Sequence, residues 1–134
     1  MASKKQSKVI ESLHDLERAI AAFTPSKSGQ PRSLTFFALS KAFEVALEYG
    51  WKHLKLAVED RGLEAPSPKD AVREAAIVKL IHNPELWIKA INARNLSVHD
   101  YFSMPEQDFV TLVKDFALEL AKDLKAQNKF RQGG

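Results

Sequence analysis

Five side chains able to do chemistry fall within eight residues: Arg94, Asn95, His99, Asp100 and Tyr101, in the run ARNLSVHDYF that spans residues 93–102. An imidazole titrates near neutrality and can exchange protons, and a guanidinium can hold a phosphate through paired N–H donors. Asn95 precedes His99 by one helical turn, a spacing that lets its amide hydrogen-bond the ring and fix the tautomer. Tyr101 lies seven residues beyond Arg94, on nearly the same face of a helix, whereas Arg94 and His99 are about 140° apart on a straight one. One undistorted helix therefore cannot easily aim both at a single phosphate. Either the helix bends near Ser97, or two copies of the chain meet across a twofold axis; the symmetric dimer is the favoured reading. From spacing alone, a hydrogen-bonded polar layer that specifies helix register is the more ordinary explanation.

Other chemistry has little footing. The four histidines, His14, His53, His82 and His99, are not paired at metal-ligand spacing, and no H-E-x-x-H, glycine-rich phosphate loop or G-x-S-x-G occurs. No metal and no cofactor is expected. His14 reads as solvated, His53 as packing or surface, and His82 as a residue at a helix end satisfying loose carbonyls. Carboxylates such as Glu48, Glu59 and Glu85 sit four residues from a lysine, the pattern of a solvated helix face.

Period-3.6 stripes supply the frame that must position the cluster. Val9, Leu13, Leu16, Ile20 and Phe23 mark a helix from about Lys5 to Ala22, closed by TPSKSGQPRS. A second, from about Leu34 to Asp60, carries Phe36, Ser40, Phe43, Leu47, Gly50, Leu54 and Ala57. Gly50 in its middle should cost about 1 kcal/mol against alanine, which points to a close helix–helix approach. Ser67 as N-cap with Pro68 and Asp70 opens a third helix, with Val72, Ala76 and Leu80 facing inward. Asn83 and Pro84 open a fourth, placing Arg94 on the apolar seam of Trp87, Ile91 and Val98. Ser103 with Glu106 opens a fifth, striped by Phe109, Leu112, Val113, Phe116, Leu120 and Leu124. Nothing alternates at period two. The expected fold is all-α: an antiparallel up-and-down four-helix bundle with one additional short helix, a single domain over residues 1–134 with an ordered core of about 5–126 and flexible termini.

Composition narrows the setting. The 134 residues are 45% hydrophobic and 28% charged, with no cysteine and a formal charge of +3. That favours a globular protein in a reducing cytoplasm, with only a weak electrostatic pull on nucleic acid. No apolar stretch reaches bilayer length, and the charged segment VIESLHDLERAI argues against a secretory leader.

The run RNLSVHDY fits the R-x-x-x-x-H-x-Y pattern of HEPN proteins, and the chain resembles the nucleotidyltransferase substrate-binding proteins, also described as HEPN toxins of HEPN–MNT toxin–antitoxin pairs. KAFEVALEYGWKHLKLAVEDRG resembles that family's aromatic second helix, SPKDAVREAAIVKLI its S-P-x-x-x-x-R-x-A segment, and PELWIKAINARNLSVHDY its W-x-x-x-x-x-x-R-N stretch. The resemblance covers roughly Phe36 to Phe116. The resemblance implies a homodimer that associates with a small nucleotidyltransferase encoded nearby. It implies metal-independent cleavage of RNA by Arg94 and His99, with Asn95 as the polar residue after the arginine and Tyr101 as the tyrosine that the transferase modifies with AMP. Asp100 is left as a supporting polar residue. The alternative is a non-catalytic accessory subunit that binds nucleotide or the transferase; a scaffold dimer with a structural polar layer is the third reading.

Overall fold

Short polar side chains decide where the helices begin. The computed structural model describes the backbone of residues 4–99 and 104–133 and the side chains of residues 7–95 and 104–127. Five helices follow in chain order, α1 (Lys4–Ala22), α2 (Leu34–Glu59), α3 (Pro68–Ile77), α4 (Pro84–His99) and α5 (Glu106–Gly133), with no strand among the described residues. Ser67 Oγ accepts from the Asp70 N–H at 3.1 Å and donates to the Asp70 carboxylate at 2.8 Å. Asn83 Oδ1 accepts from the Leu86 N–H at 3.2 Å. Each satisfies a donor that the first helical turn leaves open. Ser33 does the same for α2 through the Phe36 N–H, a cap the sequence pattern did not single out.

Helix α5 opens at Glu106, where the sequence marked a start. Ser103 lies outside the described residues, and the Glu106 carboxylate turns to the α1–α2 loop. It accepts from the Ser26 N–H at 2.9 Å, from the Ser26 hydroxyl, and from Arg32 at 3.2 Å. A half-buried carboxylate with three donors is held more firmly than a solvated capping box, and it ties the loop to α5.

Helix α3 also departs from its expected stripe. Ala71, Val72 and Ala75 are buried, whereas Ala76 and Leu80 are half-buried. The helix stops at Ile77, so Leu80 leaves the periodicity that would have carried it inward.

A file of aromatic rings runs through the centre. Phe36 meets Phe109, Phe109 meets Phe43, Phe43 meets Phe116, and Phe116 meets Trp87, with centroids 5.0–5.7 Å apart. The last three contacts are edge-on, the arrangement favoured by ring quadrupoles. Gly50 confirms the close approach: a Cβ there would come within 3.1 Å of Trp87 Cη2 and 3.2 Å of Cζ3. Trp87 is fully buried, and its indole N–H donates to Asp123 Oδ2 at 3.0 Å. That bond pins the root of α4, the helix that carries the polar cluster. No helix among the described residues is long and apolar enough to cross a membrane.

Candidate functional site

Small residues let α4 lie against the core and push its long polar ones outward. Trp87, Ala90, Ile91 and Ala93 form its buried face. Arg94 follows at the edge of that face, its side chain 39% exposed, rather than on the apolar seam itself. Ala93 takes the inward position, so the guanidinium avoids the cost of full burial. Arg94 Nη2 stands 3.7 Å from Glu48 Oε2 on α2, and Lys52 reaches the same carboxylate at 3.0 Å.

Partial burial pushes the Glu48 carboxyl up, but the Lys52 hydrogen bond and charge, the Arg94 charge and a Trp51 hydrogen bond outweigh it. The carboxyl ends below its ordinary 4.5 and is ionised at neutrality. Around it lies a hollow of about 270 Å³, with Lys41, Lys52 and Arg94 facing Glu44, Glu48 and Tyr49. A smaller niche of about 20 Å³, bordered by Trp51, Ile91, Arg94 and Asn95, also includes the guanidinium in its wall. Arg94 thus borders two depressions in the α2–α4 surface, with Asn95 exposed beside it. The hollow can offer guanidinium and ammonium donors to a phosphate, against two competing carboxylates.

Of the other expected site residues, the His99 side chain, Asp100 and Tyr101 lie outside the described residues, as does the expected Asn95–His99 hydrogen bond. His14 is exposed, as its neighbours suggested. His53 is buried, with Nε2 2.7 Å from Gln127 Oε1. His82, expected at loose carbonyls, instead faces the Asp123 carboxylate, Nδ1 to Oδ1 3.9 Å. Among the described residues, no group of three histidines or carboxylates is placed to hold a metal ion.

Two partners escaped the sequence reading. Glu48 looked like one more surface carboxylate paired with a lysine. Asp123 had a readable signal, since a buried tryptophan needs an acceptor and Asp123 lies on the inward face of α5.

Comparison with known proteins settles the family. Residues 5–129 match the family described as nucleotidyltransferase substrate binding protein like. The chain belongs to that family. Among solved structures, a protein from Thermus thermophilus is similar over 89% of this chain and 97% of its own, with 25% identity and a TM-score of 0.73. The tri-AMPylated Shewanella oneidensis HEPN toxin in complex with MNT antitoxin shares the fold, at a TM-score of 0.76 and 14% identity, over 93% of this chain and 94% of that one. No curated protein matches the chain.

Proposed function

We propose that this family member is the HEPN-type helical partner of a minimal nucleotidyltransferase, the toxin of a toxin–antitoxin pair with a latent metal-independent ribonuclease site. The observation that carries the reading is Arg94: a guanidinium at the rim of the buried face of α4, held at a concave surface 3.7 Å from a carboxylate. The fold is shared with a HEPN toxin that forms a complex with an MNT antitoxin, and that toxin is AMPylated. On this reading residues 1–134 form one cytoplasmic domain, an antiparallel four-helix bundle with α3 as the additional short helix. Two copies form a homodimer whose groove brings together Arg94 and His99. His99 acts as general base or acid at a ribose 2′-hydroxyl, and Arg94 stabilises charge at the scissile phosphate. Asn95 orients the imidazole, and Asp100 supports it. AMP on Tyr101 closes the groove and sets negative charge beside Arg94.

The test is expression with and without the adjacent transferase, followed by incubation of purified protein with RNA in chelator. Growth arrest and cleavage are expected, and both are lost in His99→Ala and Arg94→Ala. An exposed ion pair contributes about 1 kcal/mol or less; the unfolding midpoint of Arg94→Ala is measured alongside, and activity lost with that midpoint retained is chemical. Cleavage by His99→Ala at the parental rate refutes the assignment. An AMP adduct that persists in Tyr101→Phe after incubation with ATP and the transferase refutes the modification site.

Glu44 and Glu48 in the same hollow favour a second reading. Carboxylates repel a polyanion, and an accessory subunit that presents the surface to the transferase needs no RNA affinity. It predicts complex formation without toxicity or cleavage.

A further inference from the structure

At the C-terminal end of α2, a second cavity of about 430 Å³ opens between α2, the α3–α4 turn and α5. Its volume falls in the range of small-ligand pockets. Two cationic side chains, Arg61 and Lys79, and two imidazoles, His53 and His82, line it, and no carboxylate is among its described lining residues. Ala57 on α2 and Ala126 on α5 form part of the wall, with Val78 and Leu80 from the turn. Alanines on two different helices leave a slot between apolar walls. Such a lining suits a flat apolar body that carries an anionic group.

Lys79 adds an independent observation. The turn that ends α3 is a Schellman motif: the Leu80 N–H bonds the Ala75 carbonyl at 2.8 Å, and the Lys79 N–H bonds the Ala76 carbonyl at 3.1 Å. Such a turn needs a left-handed residue, and Lys79 has φ +63°, alone among the described non-glycine residues. Glycine adopts that conformation without steric cost, and lysine does not. The chain accepts this strain and places an ammonium on the cavity wall, with no ion-pair partner among the described residues. Arg61 Nη1 donates to the Ala57 carbonyl at 2.9 Å, which holds the guanidinium along the last turn of α2. Gln127 is oriented by His53 at 2.7 Å and by the Leu80 carbonyl at 3.4 Å, so the slot is held from two helices and the turn.

We propose that this cavity binds a small organic phosphate monoester, with Lys79 and Arg61 on the phosphate and the flat body between Ala57 and Ala126. The site is separate from the Arg94 hollow and does not depend on the ribonuclease reading. It is tested by calorimetric titration of the full chain with adenosine 5′-monophosphate and phenyl phosphate, and with inorganic phosphate and adenosine as controls. Both monoesters are expected to bind saturably, more tightly than either control. Lys79→Gly and Arg61→Gln are each expected to weaken binding about tenfold, the loss of one charge-assisted hydrogen bond, while Lys79→Arg retains it. Lys79→Gly relieves the left-handed strain, so its unfolding temperature is expected to equal or exceed the parent's; lost binding then cannot be lost fold. Parental affinity in Lys79→Gly overturns the proposal. So does adenosine binding as tightly as its monophosphate, inorganic phosphate matching the monoesters, or the absence of saturable binding.

Discussion

Replacing Asp123 by asparagine probes the polar group on which the placement of α4 depends. Asp123 is 2% exposed, accepts from the Trp87 indole at 3.0 Å, and lies one turn beyond the buried Glu119. Burial pushes its carboxyl up and the Glu119 charge adds to that, while the Trp87 hydrogen bond and His82 oppose it. The result is a rise from 3.8 to about 6. The folded state therefore holds this proton more tightly than the unfolded chain does. The stability it contributes is complete below about 3.8 and disappears as pH rises through about 6. At about 1.4 kcal/mol per pH unit, the interval sets an upper limit near 3 kcal/mol, a large share of the roughly 5–15 kcal/mol typical of a domain.

The asparagine would keep an oxygen for the Trp87 N–H and remove the ionisation. Urea unfolding of parent and Asp123→Asn should give similar midpoints near about pH 4 and a variant more stable by about 1–3 kcal/mol near about pH 8. The difference between the two profiles isolates this residue, because depressed carboxyls such as Glu48 and Glu106 act with the opposite sign in both proteins. Parallel profiles, or a variant that loses ground as pH rises, would refute the reasoning.

Gly50→Ala gains about 1 kcal/mol in helix propensity but drives a methyl against a Trp87 ring that Phe116 and Asp123 hold in place. Overpacking of about 1–3 kcal/mol should prevail, and a raised unfolding temperature would show that the ring can move. Glu106→Gln weakens the bonds to Ser26 and Arg32. Burial pushes the Glu106 carboxyl up, but the Ser26 bonds and Arg32 outweigh it, so it sits below 4.5. Its contribution is present above the unfolded value and is lost as pH falls through the folded one. A loss of about 1–3 kcal/mol at neutrality that shrinks on acidification is therefore expected from denaturant midpoints.

The residues most legible in the sequence were those whose partners are local or simply apolar. The α5 stripe of Phe109, Leu112, Val113, Phe116, Leu120 and Leu124 is buried throughout, and Ser67 and Asn83 cap as their neighbours required. Gly50 was readable because a glycine inside a strong helix needs a reason, and a neighbouring helix provides it. Failures came where the partner lies on a different element or the backbone does something unusual. Leu80 left the α3 stripe because the helix ended before it at a left-handed lysine, and nothing in a lysine announces that conformation. A three-residue spacing assigns Glu106 to its own helix start, whereas a loop remote in sequence offers it three donors.

The same distinction governs the candidate site. The residue types of the cluster were visible, and so was the cost of burying Arg94, yet its resolution required knowing that α2 lies alongside α4. The structure avoids that cost without burying an ion pair: Ala93 takes the core position and Arg94 stays at the rim beside Glu48. A pair that is more than a third exposed on both sides is screened and weak. A weak pair can be exchanged: a phosphate that offers two oxygens to the guanidinium competes well against one carboxylate oxygen at 3.7 Å. The Glu48 contact therefore orients the guanidinium at the rim without the desolvation cost of a buried ion pair.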